Sequence, residues 1–419
     1  MKIIIHRGTK EVGGSCVEVS SHHTTILFDF GLPLTFECSE DIESVTPEPI
    51  FTDIRTGKKN IDAVFLSHAH LDHFGLIGRL PDNITIYMGQ ATYQLLKFAD
   101  RFTPNSIGLF NHSVIEDMVA LHIGDFKIVP YQMDHSAFDS YAYHISSNSK
   151  SVFYTGDFRG HGLNRSLFDR LVSHPPKVDV LLMEGTVIGE RQEESFPTEA
   201  DIQKQLIGIC KETKGTIFVS VPSQNIDRVI SLSKAALRTG RKFVIDLYSA
   251  ELFDRLKAFS PDIPQQHMPH VRLWYPWIQR ENLSKSGLKW VMKKHRQWKS
   301  KLSELSDEIR YSIFMIRPPF RKEIERNVDL AGSVWIYSMW RGYLSRSEPL
   351  KRLERWAKIN NIPFKFIHTS GHAKLCDLEK LATALSPNVL VPIHSFHTEQ
   401  FDRYFKNVKV LQDTEVFEV

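Results

Sequence analysis

The stretch IDAVFLSHAHLDHFG, Ile61–Gly75, decides how the rest of the chain is read. Its first half is an apolar run that reads as a strand. Its second half sets His68, His70, Asp72 and His73 within six consecutive residues. Where a strand runs out into a loop, side chains alternate with period two, so His68 and His70 point the same way and both imidazoles can reach one metal ion. Asp72 and His73 follow on the turn into FGLIGRL, read as a helix, and could hold a second ion from another direction. A surface loop that is His-rich by chance is the plainer alternative. Four ligand-type residues without flexible polar padding speak against it.

Bulk composition narrows the setting. A chain of 419 residues with 42% hydrophobic content has room for two or three folded domains. With 52 basic and 49 acidic side chains the formal charge is only +3, so any polyanion site must be local. The four cysteines, Cys16, Cys38, Cys210 and Cys376, form no C-x-x-C pair, which argues against a zinc ribbon or a disulfide framework and for a reducing compartment. MKIIIHRG lacks the apolar core of a signal peptide, and no apolar run is long enough to span a bilayer. A cytoplasmic protein without a membrane anchor is expected.

Along the chain, short apolar runs alternate with amphipathic segments, the pattern of a layered α/β protein. TTILFDFG, IDAVFLS, NITIYM, DFKIVPYQM, SYAYHIS and SVFYTGDF read as strands, several of them antiparallel neighbours. From about Pro197 the order becomes helix then strand. Ile202, Leu206 and Ile209 share a helical face, and GTIFVSV, IDRVISLSKAALRTG and KFVIDLY follow as strand, helix and strand. A polar, Trp-containing region, Leu273 to Asn327, precedes the strand GSVWIYS. Then FKFIHTS, DLEKLATALS and NVLVPIH resume the style of the first third. The expected organisation is one domain (1–195 and 346–419) interrupted by a parallel α/β insertion (196–345).

Further ligand-type residues stand at comparable strand ends: Asp29 in LFDFG, His135 in MDHS, Asp157 in YTGDFR and His394 in VPIHS. Taken singly, each reads more readily as a turn or hydrogen-bonded residue. Together, FDFG, HAHLDH, the His of MDHS, TGDF and PIH occur in the order of the metallo-β-lactamase superfamily. The insertion, with Glu184 in LLMEGT and His372 in TSGHA, resembles the β-CASP nuclease branch, and SGHA and PIH resemble ribonuclease J-type enzymes and the mRNA 3′-end cleavage endonuclease. The resemblance implies a metallo-β-lactamase αββα sandwich interrupted by a β-CASP domain.

It further implies that His68, His70 and His135 hold one zinc and Asp72, His73 and His394 the other, with Asp157 bridging; manganese is the alternative. Asp29 would support the ligands. Asp72, Glu184 and His372 are the expected catalytic groups, Glu184 and His372 meeting beside the scissile phosphate. His397 competes with His394 for the ligand role, but PIH matches the family position. His6, His112, His122, His144 and His161 lack partner spacing and read as ordinary histidines.

The implied function is metal-dependent hydrolysis of RNA to 5′-phosphate and 3′-hydroxyl products, His394 pointing to RNA because DNA-repair relatives commonly carry valine there. A DNA nuclease, a non-catalytic RNA-binding relative and a small-molecule metallohydrolase are the alternatives. Single-stranded RNA is the expected partner, in a cleft between domains. Ser370, Gly371 and Ala373 around His372, and Ser223 at a strand-to-helix turn, are candidate contacts. So is the basic, aromatic stretch RLWYPWIQRENLSKSGLKWVMKKHRQWKSK, with Trp274, Trp277, Trp290, Trp298 and Lys293 prominent, unless it is a solvated helix whose Trp290 side packs inward. With the sequence running to Val419, no counterpart of the C-terminal domain of typical ribonuclease J proteins is expected, and the oligomeric state, a homodimer included, stays open.

Overall fold

The structure is a computed structural model describing residues 1–36, 41–100, 107–108, 110–189, 191 and 195–419; Cys38 lies outside them. The chain forms two compact units, Met1–Phe196 with Gly371–Val419, and Pro197–Ser370.

The first unit holds two sheets, with strands numbered in chain order. Lys2–Arg7 (β1), Cys16–Ser20 (β2), Thr25–Phe28 (β3), Ala63–Phe65 (β4), Ile86–Gly89 (β5), His112–Ile115 (β6) and Val416–Glu418 (β20) form one, ordered β20-β1-β2-β3-β4-β5-β6. Leu121–Ile123 (β7), Phe126–Met133 (β8), Ser140–Ser147 (β9), Lys150–Tyr154 (β10), Val180–Glu184 (β11) and Val389–Ile393 (β19) form the other, ordered β19-β11-β10-β9-β8-β7. Alternating apolar positions give each sheet an inner face. Ile5, Val17, Phe28 and Phe65 of the first meet Ile128, Tyr143, Val152 and Leu182 of the second in one buried cluster. The opposite face of the second sheet carries Phe153, Leu181 and Met183 against Phe168 and Leu171 of the helix Arg165–Ser173 and Leu378 and Leu381 of the helix Leu375–Leu385. On the first sheet, the helix Gln90–Ala99 packs along β5 and β6. This is the expected αββα layering, with an insertion.

The second unit is a parallel sheet of Ile217–Ser220 (β12), Lys242–Asp246 (β13), Val271–Trp274 (β14), Lys299–Ser300 (β15), Ser312–Met315 (β16), Val334–Tyr337 (β17) and Phe364–Phe366 (β18), ordered β15-β14-β13-β16-β12-β17-β18. The helix Glu199–Glu212 starts at a Thr198–Asp201 capping box, and Glu199 forms a fully buried ion pair with Arg228 at 2.9 Å. Removing either partner would strand the other charge, at a cost of about 3–5 kcal/mol.

Several details depart from the sequence reading. It includes neither β1 nor β2. It also lacks β16, four buried residues at the centre of the second sheet inside a stretch read as polar. FGLIGRL is no continuous helix: one turn, Leu71–Phe74, is followed by a short 3₁₀ turn at Ile77–Arg79. The buried stripe of Glu199–Glu212 is Ile202, Leu206 and Cys210, Ile209 being half-buried. Trp274 is core, tilted against Phe314 and edge-to-face with Phe320. Residues 346–370 belong with the insertion, because β18 pairs with β17 and Leu353 and Trp356 join the cluster around Trp335. The return to the first unit comes at Gly371.

Candidate metal centre

Strand direction gathers the candidate ligands. β3 and β4 are parallel, as are β10, β11 and β19, so the residues just beyond their C-terminal ends share one edge of the first unit. Asp29 follows β3, His68 and His70 follow β4, Asp157 follows β10, Glu184 ends β11 and His394 follows β19; His135 follows β8. Asp29 and His394 adopt left-handed backbone, φ 59° and 51°, a conformation that non-glycine residues rarely accept and that turns each side chain off its strand. The turn bearing Asp72 and His73 lies against the FDFG loop, with Phe30 N–H bonded to His73 O at 2.8 Å and Leu32 N–H to Leu71 O at 3.0 Å. A Cβ on Gly31 would stand 1.8 Å from the Asp72 carbonyl oxygen, so only glycine permits this approach.

Two groups of side chains result. His68 Nε2 lies 3.1 Å from His70 Nδ1, which is 3.4 Å from His135 Nε2. In the other group, His394 Nε2 and His73 Nε2 lie 3.5 and 3.8 Å from Asp72 Oδ2. Asp157 stands between them. Its Oδ2 is 3.1 Å from His73 Nε2 and 3.7 Å from His68 Nε2, and its Oδ1 is 3.5 Å from His394 Nδ1. Within each of the sets His68/His70/His135, His68/His73/Asp157 and Asp72/His73/His394, one donor atom per residue lies within 4.8 Å of the others.

The donor set fits metal ions. Both carboxylate oxygens of Asp157, His73 Nε2 and His394 Nε2 are buried without a hydrogen-bond partner among the described residues. Buried polar atoms are ordinarily paired, and a cation at their convergence would satisfy all four. Electrostatics agree. Burial, reinforced by neighbouring imidazoles, holds His68 and His135 well below the usual histidine range, and burial drives His70 down to about 4, so these three present neutral lone pairs. In the carboxylate-rich half the sign reverses. Burial would lower His73, but Asp157, Asp29 and Asp72 outweigh it and raise it well above its ordinary value. Burial would raise Asp72 and Asp157, yet the surrounding histidines pull Asp72 down to about 2 and Asp157 well below the carboxylate range.

Supporting contacts fix the rings. Asp29 accepts bonds from Ser67 N–H and Oγ, both 2.7 Å, and from Tyr154 Oη at 2.6 Å, and lies 2.8 Å from His73 Nδ1. A carboxylate on Nδ1 holds the proton there and turns the Nε2 lone pair toward the cluster. Thr186 Oγ1 lies 3.0 Å from His394 Nδ1 and 3.2 Å from His372 Nδ1. Ser67, Tyr154 and Thr186 are not singled out by the sequence, although they sit inside the quoted stretches IDAVFLSHAHLDHFG, YTGDFR and LLMEGT.

Glu184 and His372 lie side by side, Glu184 Oε2 being 3.4 Å from His372 Nδ1. Burial alone would lower His372, but Glu184 and Asp157 raise it to about 8. Glu184 also accepts from the backbone N–H of Phe158, Thr186 and Ala373. Distance alone would let Asp157, Glu184, His372 and His394 form a further cation group. A Cβ on Gly371 would fall 2.4 Å from Ser136 Oγ. His397 lies beside Glu399, outside the cluster, and His6 is bonded to buried Glu18.

The remaining candidates lie in the second unit. Ser370 is buried there. Ser223 is buried with its hydroxyl bonded to Ser249 and Arg317. Trp277, Trp290, Trp298 and Lys293 are exposed, while Lys294 is held by Glu251 and Asp254. Among the described residues no helix is long and apolar enough to cross a membrane.

A family described as beta-lactamase superfamily domain matches residues 35–218. The chain is 21% identical over 407 residues to a ribonuclease J of Helicobacter pylori (strain B128), covering 94% of this chain and 56% of that protein. It is 25% identical over 270 residues to a ribonuclease J of Thermus thermophilus, covering 61% and 46%. The chain thus spans about half the length of these curated relatives. A crystal structure of a protein of unknown function from Enterococcus faecalis V583 shares the fold over 99% of both chains, with TM-score 0.80 and 22% identity.

Proposed function

We propose, starting from a chain that carries a metallo-β-lactamase superfamily domain and has homologues among the ribonuclease J proteins of the β-CASP branch, that it is a metal-dependent ribonuclease. The observation that carries this reading is the convergence of His68, His70 and His135 with four buried, unpartnered atoms, both carboxylate oxygens of Asp157, His73 Nε2 and His394 Nε2. His68, His70 and His135 would hold one ion and Asp72, His73 and His394 the other, with Asp157 serving both; zinc suits this nitrogen-rich donor set, and manganese the carboxylates. Bound ions would supply Lewis acidity, lowering the pKa of water and offsetting phosphate charge.

The chain's own groups do the rest. Asp29 and Thr186 orient His73 and His394 through Nδ1. Glu184 faces His372 Nδ1 and favours the imidazolium, so His372 can contact a phosphate as a cation and deliver a proton from Nε2 to the departing 3′-oxygen. Gly371 and Ala373 carry that imidazole on a loop close to His135. RNA as substrate rests on His394, as expected from sequence, and on the ribonuclease J relatives. The test is to incubate the protein with end-labelled RNA and DNA of matched sequence, varying the 5′ end, with and without chelator. Cleavage of RNA with 5′-phosphate products, abolished by chelation, supports the reading; cleavage of DNA alone would move it to the DNA-nuclease alternative.

A further inference from the structure

β18 closes the second unit's sheet as an edge strand of sequence FKF, and all three residues are exposed. Period two puts Phe364 and Phe366 on one face, 37% and 41% exposed, with the buried Tyr337 ring stacked near both at 6.3 and 6.4 Å. After β17, Trp340 and the short helix Arg341–Arg346 that it caps add the Trp340 and Tyr343 rings, 39% and 49% exposed and edge-to-face at 5.3 Å. Two guanidinium groups lie on these rings: Arg341 over Phe366 at 5.0 Å and Arg346 over Trp340 at 5.4 Å. Neither arginine, nor Lys351, Arg352 or Lys365, has an ion pair among the described residues. The nearby acids Glu348 and Glu354 are engaged by Arg355 and Lys358. Two shallow clefts adjoin the patch. One of about 340 Å³ is lined by Phe364, Asn361 and Lys358, and one of about 420 Å³ by Arg341, Lys351 and Arg355.

Four exposed aromatic rings on one small surface are more than a solvated edge requires, and the surplus of unpaired cations disfavours an apolar or acidic-poor protein partner. A polymer with flat π faces and one negative charge per unit satisfies both features: bases stack on the rings while arginine and lysine follow the phosphates. Base pairing would hide those faces, so the strand must be single. We propose that β18 and the segment Trp340–Arg346 form a stacking platform for single-stranded RNA, independent of base sequence. The choice of RNA over DNA rests on the ribonuclease reading; the platform itself does not.

The test uses the full chain under chelator, so that nothing is cut, with fluorescently labelled oligouridylate 20-mer and its duplex with oligoadenylate. Wild type should bind the single strand well above the duplex. Trp340→Ala with Phe366→Ala, and separately Arg341→Gln with Arg346→Gln, should weaken single-strand binding by at least about tenfold, the size expected for losing one or two stacks or phosphate contacts. Photo-crosslinking of 4-thiouridine RNA to wild type should map to residues 337–366, which decides the matter should a variant fold poorly. Absent binding, variant affinities within twofold of wild type, or crosslinks confined elsewhere would overturn the platform. Binding and crosslinking here by a protein that cuts no RNA when metal is restored would leave the platform standing and remove the ribonuclease reading.

Discussion

Replacing Asp29 by Asn keeps the shape of a buried side chain while removing its charge, and the consequence can be worked out atom by atom. Oδ2 faces three groups, Ser67 Oγ at 2.7 Å, Tyr154 Oη at 2.6 Å and His73 Nδ1 at 2.8 Å, and Oδ1 accepts from Ser67 N–H. With the amide oxygen kept on Ser67 N–H, the NH₂ group replaces Oδ2. The hydroxyls can rotate to accept. His73 Nδ1 can accept only by moving its proton to Nε2, the atom that faces Asp157 and Asp72. That tautomer cannot donate a lone pair to a metal ion. Loss of such a supporting carboxylate costs about 10–100-fold in metal affinity, or roughly 1.4–2.7 kcal/mol. Competition against a chromophoric zinc chelator should show one ion bound as in wild type and one weaker by that factor. Retention of both wild-type affinities in Asp29→Asn would show that Asp29 does not set the His73 tautomer.

Other perturbations follow the same logic. His372→Ala should keep both ions by elemental analysis yet lose about 10²-fold or more in cleavage rate, as for removal of a general acid; loss of an ion would instead make His372 a ligand. Gly31→Ala drives a Cβ into the Asp72 carbonyl and should lower the melting temperature or release an ion, measured by calorimetry and metal content. The metal-free protein should be most stable near pH 6.5. Below it, His68, His70 and His135, whose folded values are depressed, contribute stability that is lost as pH falls below about 6.5, His70 through a folded value of about 4, and Asp139 and Glu11, raised by burial, oppose this, Asp139 at about 6. Above it, the raised His73 and His372 contribute stability that is lost as pH rises through their folded values, about 8 for His372. Melting temperatures that climb steadily from pH 5 to pH 8 would contradict this.

What the sequence displays and what it hides follow from range. His68, His70, Asp72 and His73 are legible because a strand end puts close neighbours in sequence around one point, and alternation tells which share a side. Asp29, Asp157 and His394 become legible only as an ordered set, since each alone is an ordinary turn residue. Thr186 escapes because a lone hydroxyl acting through the rings of two distant histidines has no spacing to reveal it. β16 escapes because its four residues sit inside a stretch read as polar, and their burial comes from β12 and β13 on either side and from the helices Ile226–Arg238 and Ser306–Arg310. The return boundary falls later than the sequence suggests because the helix Glu348–Ile359 has an apolar face that would suit either unit. Only the burial of Leu353 and Trp356 with Trp335 assigns it.

Following end-labelled single-stranded RNA with the protein as purified, after removal of metal, and after addition of zinc separates a metal-dependent ribonuclease from every alternative. Cleavage should yield 5′-phosphate ends, vanish with the metal and return with about two equivalents of zinc. RNA left intact by protein holding two ions, or cleaved equally well by protein holding none, would contradict that assignment.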